Sequence, residues 1–140
     1  MLLIAMSLCL FISCTDDKDY TDDALKAVHG AWVADGNVSV LEPDGKMHDY
    51  HNAQKCGYYF DSDGYVYIII DGEITNSKIK YKFSRALGPE GQEVTTYIFE
   101  FEFLNGDVIE VTEMWLYIQE KYLSTISDVG RFEFDETITR

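Results

Sequence analysis

The sequence lacks the short motifs on which common catalytic sites are built. It contains no nucleophile elbow of the Gly-x-Ser-x-Gly type, no phosphate-binding loop and no Cys-x-x-Cys pair. It is also poor in cations, because 11 Lys and Arg residues stand against 25 Asp and Glu, a formal charge of −14. Such a surface repels phosphate backbones, so nucleic acid is not an expected partner. We therefore expect neither an enzyme nor a nucleic-acid-binding protein, and we expect no cofactor and no metal.

The N-terminal run, residues 1–13, carries no charged side chain, and the first charged residue is Asp16. The run is shorter than the ~20 residues that a membrane-spanning helix needs, and it fits the apolar region of a signal peptide. A short buried helix is the alternative. The triplet Phe11-Ile12-Ser13 before Cys14 resembles the lipobox of bacterial lipoproteins, which implies cleavage before Cys14 and attachment of acyl chains to its thiol.

An acidic, polar stretch follows, residues 14–23, and it is too highly charged to pack into a core. We interpret it as a flexible tether that holds the domain away from the membrane. Acidic residues and a Lys close behind the cysteine also resemble the export signal of Bacteroidetes-type lipoproteins. That resemblance implies an outer-membrane protein facing the cell surface and anchored through Cys14, whereas the alternative is an ordinary acidic linker.

The remaining residues, 24–140, are sufficient for one domain with a single core. Cys9 would leave with the signal segment and Cys14 would carry lipid, so Cys56 would be the one thiol left in the domain. An internal disulfide is therefore excluded in the processed chain. A lone thiol of this kind is expected to be buried and inert.

The domain begins with a helical turn over Ala24–His29, ended by Gly30, and continues as eight short runs rich in Val, Ile, Tyr, Phe and Thr. Turn residues such as Pro43-Asp44-Gly45 and Asp71-Gly72 separate these runs. Short strands joined by hairpin turns predict an all-β antiparallel meander, closed as a barrel or folded as a β-sandwich. The expected strands are Ala31–Leu41, Gly57–Asp61, Tyr65–Ile70, Lys78–Ser84, Val94–Leu104, Val108–Ile118, Tyr122–Ile126 and Arg131–Ile138.

The hairpin around Asn105-Gly106 offers two registers. A two-residue type I′ turn places Phe101 opposite Glu110, whereas a three-residue loop with Gly106 in a left-handed bulge places Phe101 opposite Ile109. We favour the three-residue loop because it collects the apolar residues on one face. The predicted inner face is Tyr97, Phe99, Phe101, Phe103, Ile109, Val111, Trp115 and Tyr117.

Glu113 falls on the same predicted inner face. A carboxylate among apolar side chains is costly unless it has a partner, so Glu113 is either a polar anchor in a ligand cavity or lies at a bulge or barrel mouth that reaches water. The first reading predicts a ligand site formed by Glu113, Tyr97, Phe99 and Trp115 that holds a small apolar molecule.

The start of the domain, a helical turn followed by Gly30-Ala31-Trp32, resembles the Gly-x-Trp signature of lipocalins and of lipocalin-like lipoproteins. The resemblance implies an eight-stranded up-and-down barrel whose closed end is plugged by Trp32, with an Arg from the far end of the chain packed across the indole. Arg131 and Arg140 are the candidates. It also implies an interior that is filled by side chains or holds one small ligand.

An alternative function is a surface module that contacts a protein or a glycan through exposed aromatics. Tyr58, Tyr59, Tyr65 and Tyr67 suggest it, although burial of the face shared by Tyr65 and Tyr67 would remove most of its basis. A metal site at His48, His51 and Cys56 is poorly supported by its spacing. The run 61–64 resembles the start of a calcium loop and is better explained as a turn.

Overall fold

A computed structural model of the chain describes residues 19–88, 96–125 and 131–140. The expected signal segment, Cys14 and tether residues 14–18 lie outside the described residues. The elements are helix α1 (Thr21–Val28) and strands β1 (Gly30–Leu41), β2 (Met47–Phe60), β3 (Tyr65–Ile70), β4 (Glu73–Leu87), β5 (Thr96–Asn105), β6 (Val108–Gln119), β7 (Tyr122–Thr125) and β8 (Arg131–Phe134).

The eight strands form one closed antiparallel barrel in chain order. Each strand pairs with the next, and β8 returns to β1, where Trp32 lies opposite Phe134 and Val33 opposite Glu133. The predicted eight-stranded meander barrel with a short N-terminal helix is confirmed, and the sandwich alternative is excluded. Closure gives every strand a paired neighbour on each side, although not along the whole length of every strand.

Helix α1 begins at Thr21, three residues before the predicted start and inside the stretch assigned to the tether. The Asp19 carboxylate accepts hydrogen bonds from the backbone N–H of Thr21 at 2.9 Å and from its hydroxyl at 2.5 Å. Ala24 and Val28 are fully buried against the barrel. The end of the acidic stretch is therefore part of the folded domain, because this side of the helix has apolar surface to bury.

Strand β2 begins at Met47, ten residues before the predicted start at Gly57. Asn52 and Lys55 adopt positive φ angles of 55° and 47°, which interrupt the two-residue alternation by which a strand is recognised. The pairing of β1 with β2 also shifts register on both sides of Gly36. The segment that was predicted to be a long loop is therefore a bulged half of a strand.

The β5–β6 hairpin has a register different from both predicted ones. Gly106 and Asp107 form its two-residue turn, and Gly106 has a positive φ of 64°, as the first central position of a type II′ turn requires. Phe99 then lies opposite Met114, whereas the predicted register placed it opposite Val111. The expectation of a three-residue loop is wrong.

The cause lies in the sequence of β6, which contains two apolar alternations in opposite phase. Ile109 and Val111 define one phase, and Met114, Leu116 and Ile118 define the other. Only one phase can face the barrel interior, since successive side chains point to opposite faces. The second phase packs in the core, and the first is turned to the outside.

Candidate functional site

The barrel interior is filled by aromatic side chains packed against one another. The rings of Phe60 and Tyr81 meet edge to face with centroids 5.3 Å apart, and those of Tyr81 and Phe99 with centroids 5.6 Å apart. Phe99 is fully buried, and Tyr97 is half-buried on the same inner side, with its ring 6.2 Å from that of Phe83. Phe99 thus belongs to a packed core, which leaves it no role as the wall of an open cavity.

Glu113 and Trp115 do not share that interior, so the predicted ligand quartet is not assembled. Both side chains are on the outer face of β6 because of the register found for the hairpin. Arg85 donates hydrogen bonds to the two Glu113 carboxylate oxygens at 2.7 and 3.4 Å, and its guanidinium lies 5.9 Å from the Trp115 ring centre. The placement of Glu113 as an interior anchor is wrong.

Electrostatics agree with this outer position. The hydrogen bond from Arg85 lowers the pKa of Glu113, and the same contact raises the pKa of Arg85. Both side chains are largely solvent-exposed, at 41% for Glu113 and 48% for Arg85, so the pair contributes little to stability. It neutralises the carboxylate on the outer surface of the sheet.

Trp32 lies at the end of the barrel next to α1 and is buried in the core. Its indole Nε1 donates a hydrogen bond to the Val28 carbonyl oxygen at 2.7 Å, which ties the barrel to the last residue of the helix. The Phe134 ring meets the indole edge-on with centroids 5.2 Å apart. Gly30 leaves room for that ring, since a Cβ there would lie 2.6 Å from a Phe134 ring carbon.

Neither arginine expected at Trp32 reaches it. The Arg131 guanidinium lies 4.0 Å above the ring of Tyr122, and that of Arg140 lies 4.0 Å above the ring of Tyr67. The assignment of Arg131 and Arg140 as barrel-closing residues is therefore wrong. Phe134, which pairs with Trp32 across β8 and β1, packs on the indole.

The C-terminal segment after β8 covers the tyrosines that suggested a surface contact. Tyr59 and Tyr67 are 6% and 5% exposed and belong to an outer apolar cluster that Ile138 packs against. Tyr58 points inward and is 3% exposed, and Tyr65 is half-buried. This burial removes the basis for recognition through these tyrosines.

Asp135 fastens the C-terminal segment to the barrel. Its carboxylate accepts hydrogen bonds from the Thr137 hydroxyl and backbone N–H and lies 2.9 Å from the Lys55 ammonium. Its backbone N–H donates to the Ala31 carbonyl oxygen at 2.9 Å. The side-chain contacts to Thr137 and Lys55 lower the pKa of Asp135 from 3.8 to about 2.

We expect the C-terminal segment to loosen in acid. The folded state lowers the pKa of Asp135, so its stabilising contribution is complete above pH 3.8 and is lost as the pH falls through about 2. Hydrogen-exchange protection factors over residues 135–140, which are corrected for the intrinsic pH dependence of amide exchange, should show this loss in a pH series. Asp135→Asn should lower the protection factors at neutral pH to the values of the wild type in acid, and wild-type protection factors that stay constant to below pH 2 would contradict the assignment.

The far end of the β5–β6 hairpin carries an exposed apolar surface. Leu104, Val108, Ile109 and Val111 are 72%, 61%, 64% and 51% exposed. Among the described residues, half of the large hydrophobic side chains that are exposed lie in this one place. Leu104, Ile109 and Val111 lie on the outer face of the hairpin, and Val108 lies beside the turn on the face of Glu110. We call these four residues the hairpin patch. Scattered exposed apolar residues are ordinary, but a cluster of this kind marks an interaction surface.

Charges around the hairpin patch differ between the two faces of the hairpin. On the outer face, the Glu100 and Glu102 carboxylates lie 3.5 and 4.0 Å from the ammonium groups of Lys82 and Lys80 on β4. Glu110 points to the inner side at the barrel rim, and no cation of the described residues lies within salt-bridge distance of it. Of the two carboxylates on β6, Glu113 is therefore paired with Arg85, whereas Glu110 has no salt-bridge partner within the described residues.

In the part of the chain that the structure describes, one side of β6 is paired along only part of its length. The strand pairs with β5 from Val108 to Tyr117, whereas β7 pairs with it only from Leu116 to Gln119. Within the described ranges, no strand pairs with that side of β6 between Val108 and Trp115. We call the stretch Val108–Thr112 the β6 edge.

The weak metal hypothesis gains nothing from the geometry. The His48 Nε2 lies 2.8 Å from an Asp44 carboxylate oxygen, and the His51 Nδ1 lies 3.2 Å from the Asn37 side-chain oxygen. Cys56 is 1% exposed, as expected of an inert thiol. The described part of the chain contains no group of three or more His, Cys, Asp or Glu residues arranged to hold a metal ion.

The turn at residues 61–64 is a structural turn. The Asp61 carboxylate accepts hydrogen bonds from the backbone N–H groups of Asp63 and Tyr65 at 2.9 and 2.8 Å. An aspartate that bonds the backbone two residues on is the usual device for fixing such a turn. Its carboxylate is thereby used within the turn between β2 and β3.

The fold defines the chain as an eight-stranded up-and-down barrel protein. Comparisons with protein families, with curated proteins and with solved structures found no match. None of the helices in the described residues has the length and apolar character needed to cross a membrane.

Proposed function

We propose that this chain is an exported, lipocalin-like lipoprotein, anchored in the outer membrane through Cys14, that binds a partner at the cell surface through the outside of its β5–β6 hairpin. The hairpin patch carries the proposal. Complete burial of an exposed Val or Ile side chain is worth roughly 1.5–3 kcal/mol, and Ile109 and Val111, which are 64% and 51% exposed, forgo about half of that each. Binding a partner would recover that free energy.

The choice of the outside over the interior rests on packing. A small apolar ligand in the barrel would have to displace rings such as Phe60, Tyr81 and Phe99, which are already in contact. Protein interiors packed in this way leave few voids larger than a water molecule. A protein or glycan partner on the outer surface requires no such displacement.

Photo-crosslinking on cells tests the hairpin directly. A photoreactive phenylalanine analogue at position 109 should give a discrete higher-mass adduct, because Ile109 is 64% exposed and lies opposite Leu104 in the hairpin patch. The same analogue at position 73 is the control, since Glu73 is an exposed residue on another hairpin. The adduct at 109 should vanish when Leu104 and Val111 are both changed to serine. Equal adducts at both positions, or none at 109, would contradict the proposal.

The anchor has its own test. Cys14→Ser should remove the acyl chains from the protein and move it from the membrane fraction to the soluble fraction, because a lipidated N-terminus supplies the membrane affinity. Metabolic labelling with a radioactive fatty acid followed by fractionation measures both effects. If the serine variant stays in the membrane fraction and the wild type carries no label, the chain is not a lipoprotein.

A further inference from the structure

The β6 edge presents backbone groups that a further strand could use. The amides and carbonyls of Val108–Thr112 that point away from β5 have no strand partner within the described ranges. Proteins usually blunt such an edge with lysine, proline, a bulge or an inward-pointing charge. Val108–Thr112 contains no lysine or proline, and its pairing with β5 runs without a register shift. Its inward-pointing charge, Glu110, opposes an added strand unless that strand brings a cation. The edge is thus built like an acceptor for an added strand.

The two faces of the β6 edge favour different side chains on an added strand. On the outer face, Ile109 and Val111 would lie beside the side chains of an added strand and favour apolar residues there. On the inner face, Glu110 has one hydrogen-bond partner within the described part of the chain, the Asn105 amide at 3.1 Å, and would favour a cation. Because strand side chains alternate between faces, the matching sequence alternates apolar and basic residues.

Charge also decides between a foreign partner and a second copy of this chain. Antiparallel pairing of the β6 edge with itself brings the Glu110 carboxylates of both copies opposite each other, which is unfavourable. Each copy also carries a formal charge of −14. The same charge attracts a basic segment and accelerates its encounter.

We propose that the partner is an extended, basic polypeptide segment that adds to the β6 edge as a further strand. This inference rests on the proposed function. The five residues of the edge span about 17 Å, so the segment would contribute about five residues of alternating apolar and basic character. Backbone hydrogen bonds would hold it, and Ile109, Val111 and Glu110 would select its sequence.

A synthetic ten-residue peptide of alternating lysine and valine tests this with the lipid-bearing chain purified in mild detergent. A peptide of five lysines followed by five valines has the same charge and composition without the alternation. We expect the alternating peptide to bind about tenfold or more tightly than the block peptide. We also expect it to slow hydrogen exchange over residues 108–112. Equal affinities for the two peptides, or no binding of either, would overturn strand addition.

Two charge-reversal variants separate the edge from general attraction to an acidic protein. Glu110→Lys should weaken binding of the alternating peptide about tenfold or more, whereas Glu73→Lys, the same charge change on another hairpin, should leave it within about twofold. Equal weakening by both variants would refute a site at Glu110. If the crosslinked adduct at position 109 forms on cells while the peptide fails to bind, the interaction function stands and strand addition is wrong.

Discussion

Gly57→Ala is expected to prevent the barrel from folding. Gly57 lies opposite Val33 where β2 pairs with β1, and an added Cβ would lie 1.9 Å from the Trp32 carbonyl oxygen and 3.0 Å from the Val33 Cα. Both contacts are with backbone atoms, so no side-chain rotation can relieve them. The two strands would have to separate beside Trp32, at the helix-capped end of the core. We expect a loss of more than about 4 kcal/mol in the free energy of unfolding, or an unfolded chain.

Gly36→Ala is the matched control in β1. A Cβ at Gly36 meets no atom within 4 Å, and the positive φ of 91° is the one obstacle to alanine there. Its cost should therefore be about 1–2 kcal/mol, the penalty of a left-handed backbone conformation. Urea denaturation followed by circular dichroism measures both variants. Similar losses for the two would show that the close approach at Gly57 is not what limits folding.

Phe99→Ala should cost about 3–5 kcal/mol of stability, the range found for large aromatic residues removed from a packed core. The Phe99 side chain is fully buried and lies against the rings of Phe60, Tyr81 and Phe83. None of these neighbours can fill its volume without leaving its own contacts. The variant should therefore contain a cavity at the centre of the barrel, and chemical denaturation should measure the loss.

Leu104→Ala is the comparison for Phe99→Ala, because Leu104 is 72% exposed on the hairpin patch. Its effect should be below about 0.5 kcal/mol. The cavity gives a second readout, since dry apolar cavities bind benzene. Benzene should raise the melting temperature of the Phe99→Ala variant and leave the wild type unchanged. A comparable rise in the wild type would mean that the barrel already has a ligand cavity.

Much of the fold could be predicted from the sequence because its turns are chemically explicit. Asp71 and Gly72 both adopt the positive φ that their identities suggested, and they join β3 to β4 in a tight hairpin. Because turns of this kind separate the β-rich runs, the number and order of the strands could be predicted from the sequence. The first half of β2 escaped prediction because the positive φ angles at Asn52 and Lys55 destroy the alternation that marks a strand.

The candidate site was less predictable, since it depends on a register that local sequence does not determine. The alternation of Ile109 and Val111 predicted an inner face, and the choice of Met114 and Leu116 for the core is made by packing across the whole barrel. Glu113 alternates in step with Ile109 and Val111, so its side chain lies on the outer face with theirs. The out-of-phase run from Met114 onward was the available signal, and following it would have exposed Ile109 and Val111.

The residue that packs on Trp32 could not be found from the lipocalin resemblance. The resemblance implied an arginine, and two were present near the C-terminus, but both stack on tyrosines. Phe134 takes the position because β8 pairs with β1 directly opposite Trp32. The pairing of the first and last strands of a barrel joins residues far apart in the chain, and no local sequence pattern predicts it.

The orientation of β6 is the claim on which the proposed interaction surface depends, and a cysteine-labelling scan tests it most directly. Single cysteines at positions 109, 111, 114 and 116 would be treated with a maleimide under native conditions, with each site resolved by peptide mass spectrometry. The structure predicts rapid labelling at 109 and 111, and labelling many-fold slower at 114 and 116, which are buried. Rapid labelling at 114 and 116 with protection at 109 and 111 would place the hairpin patch inside the barrel and contradict the account.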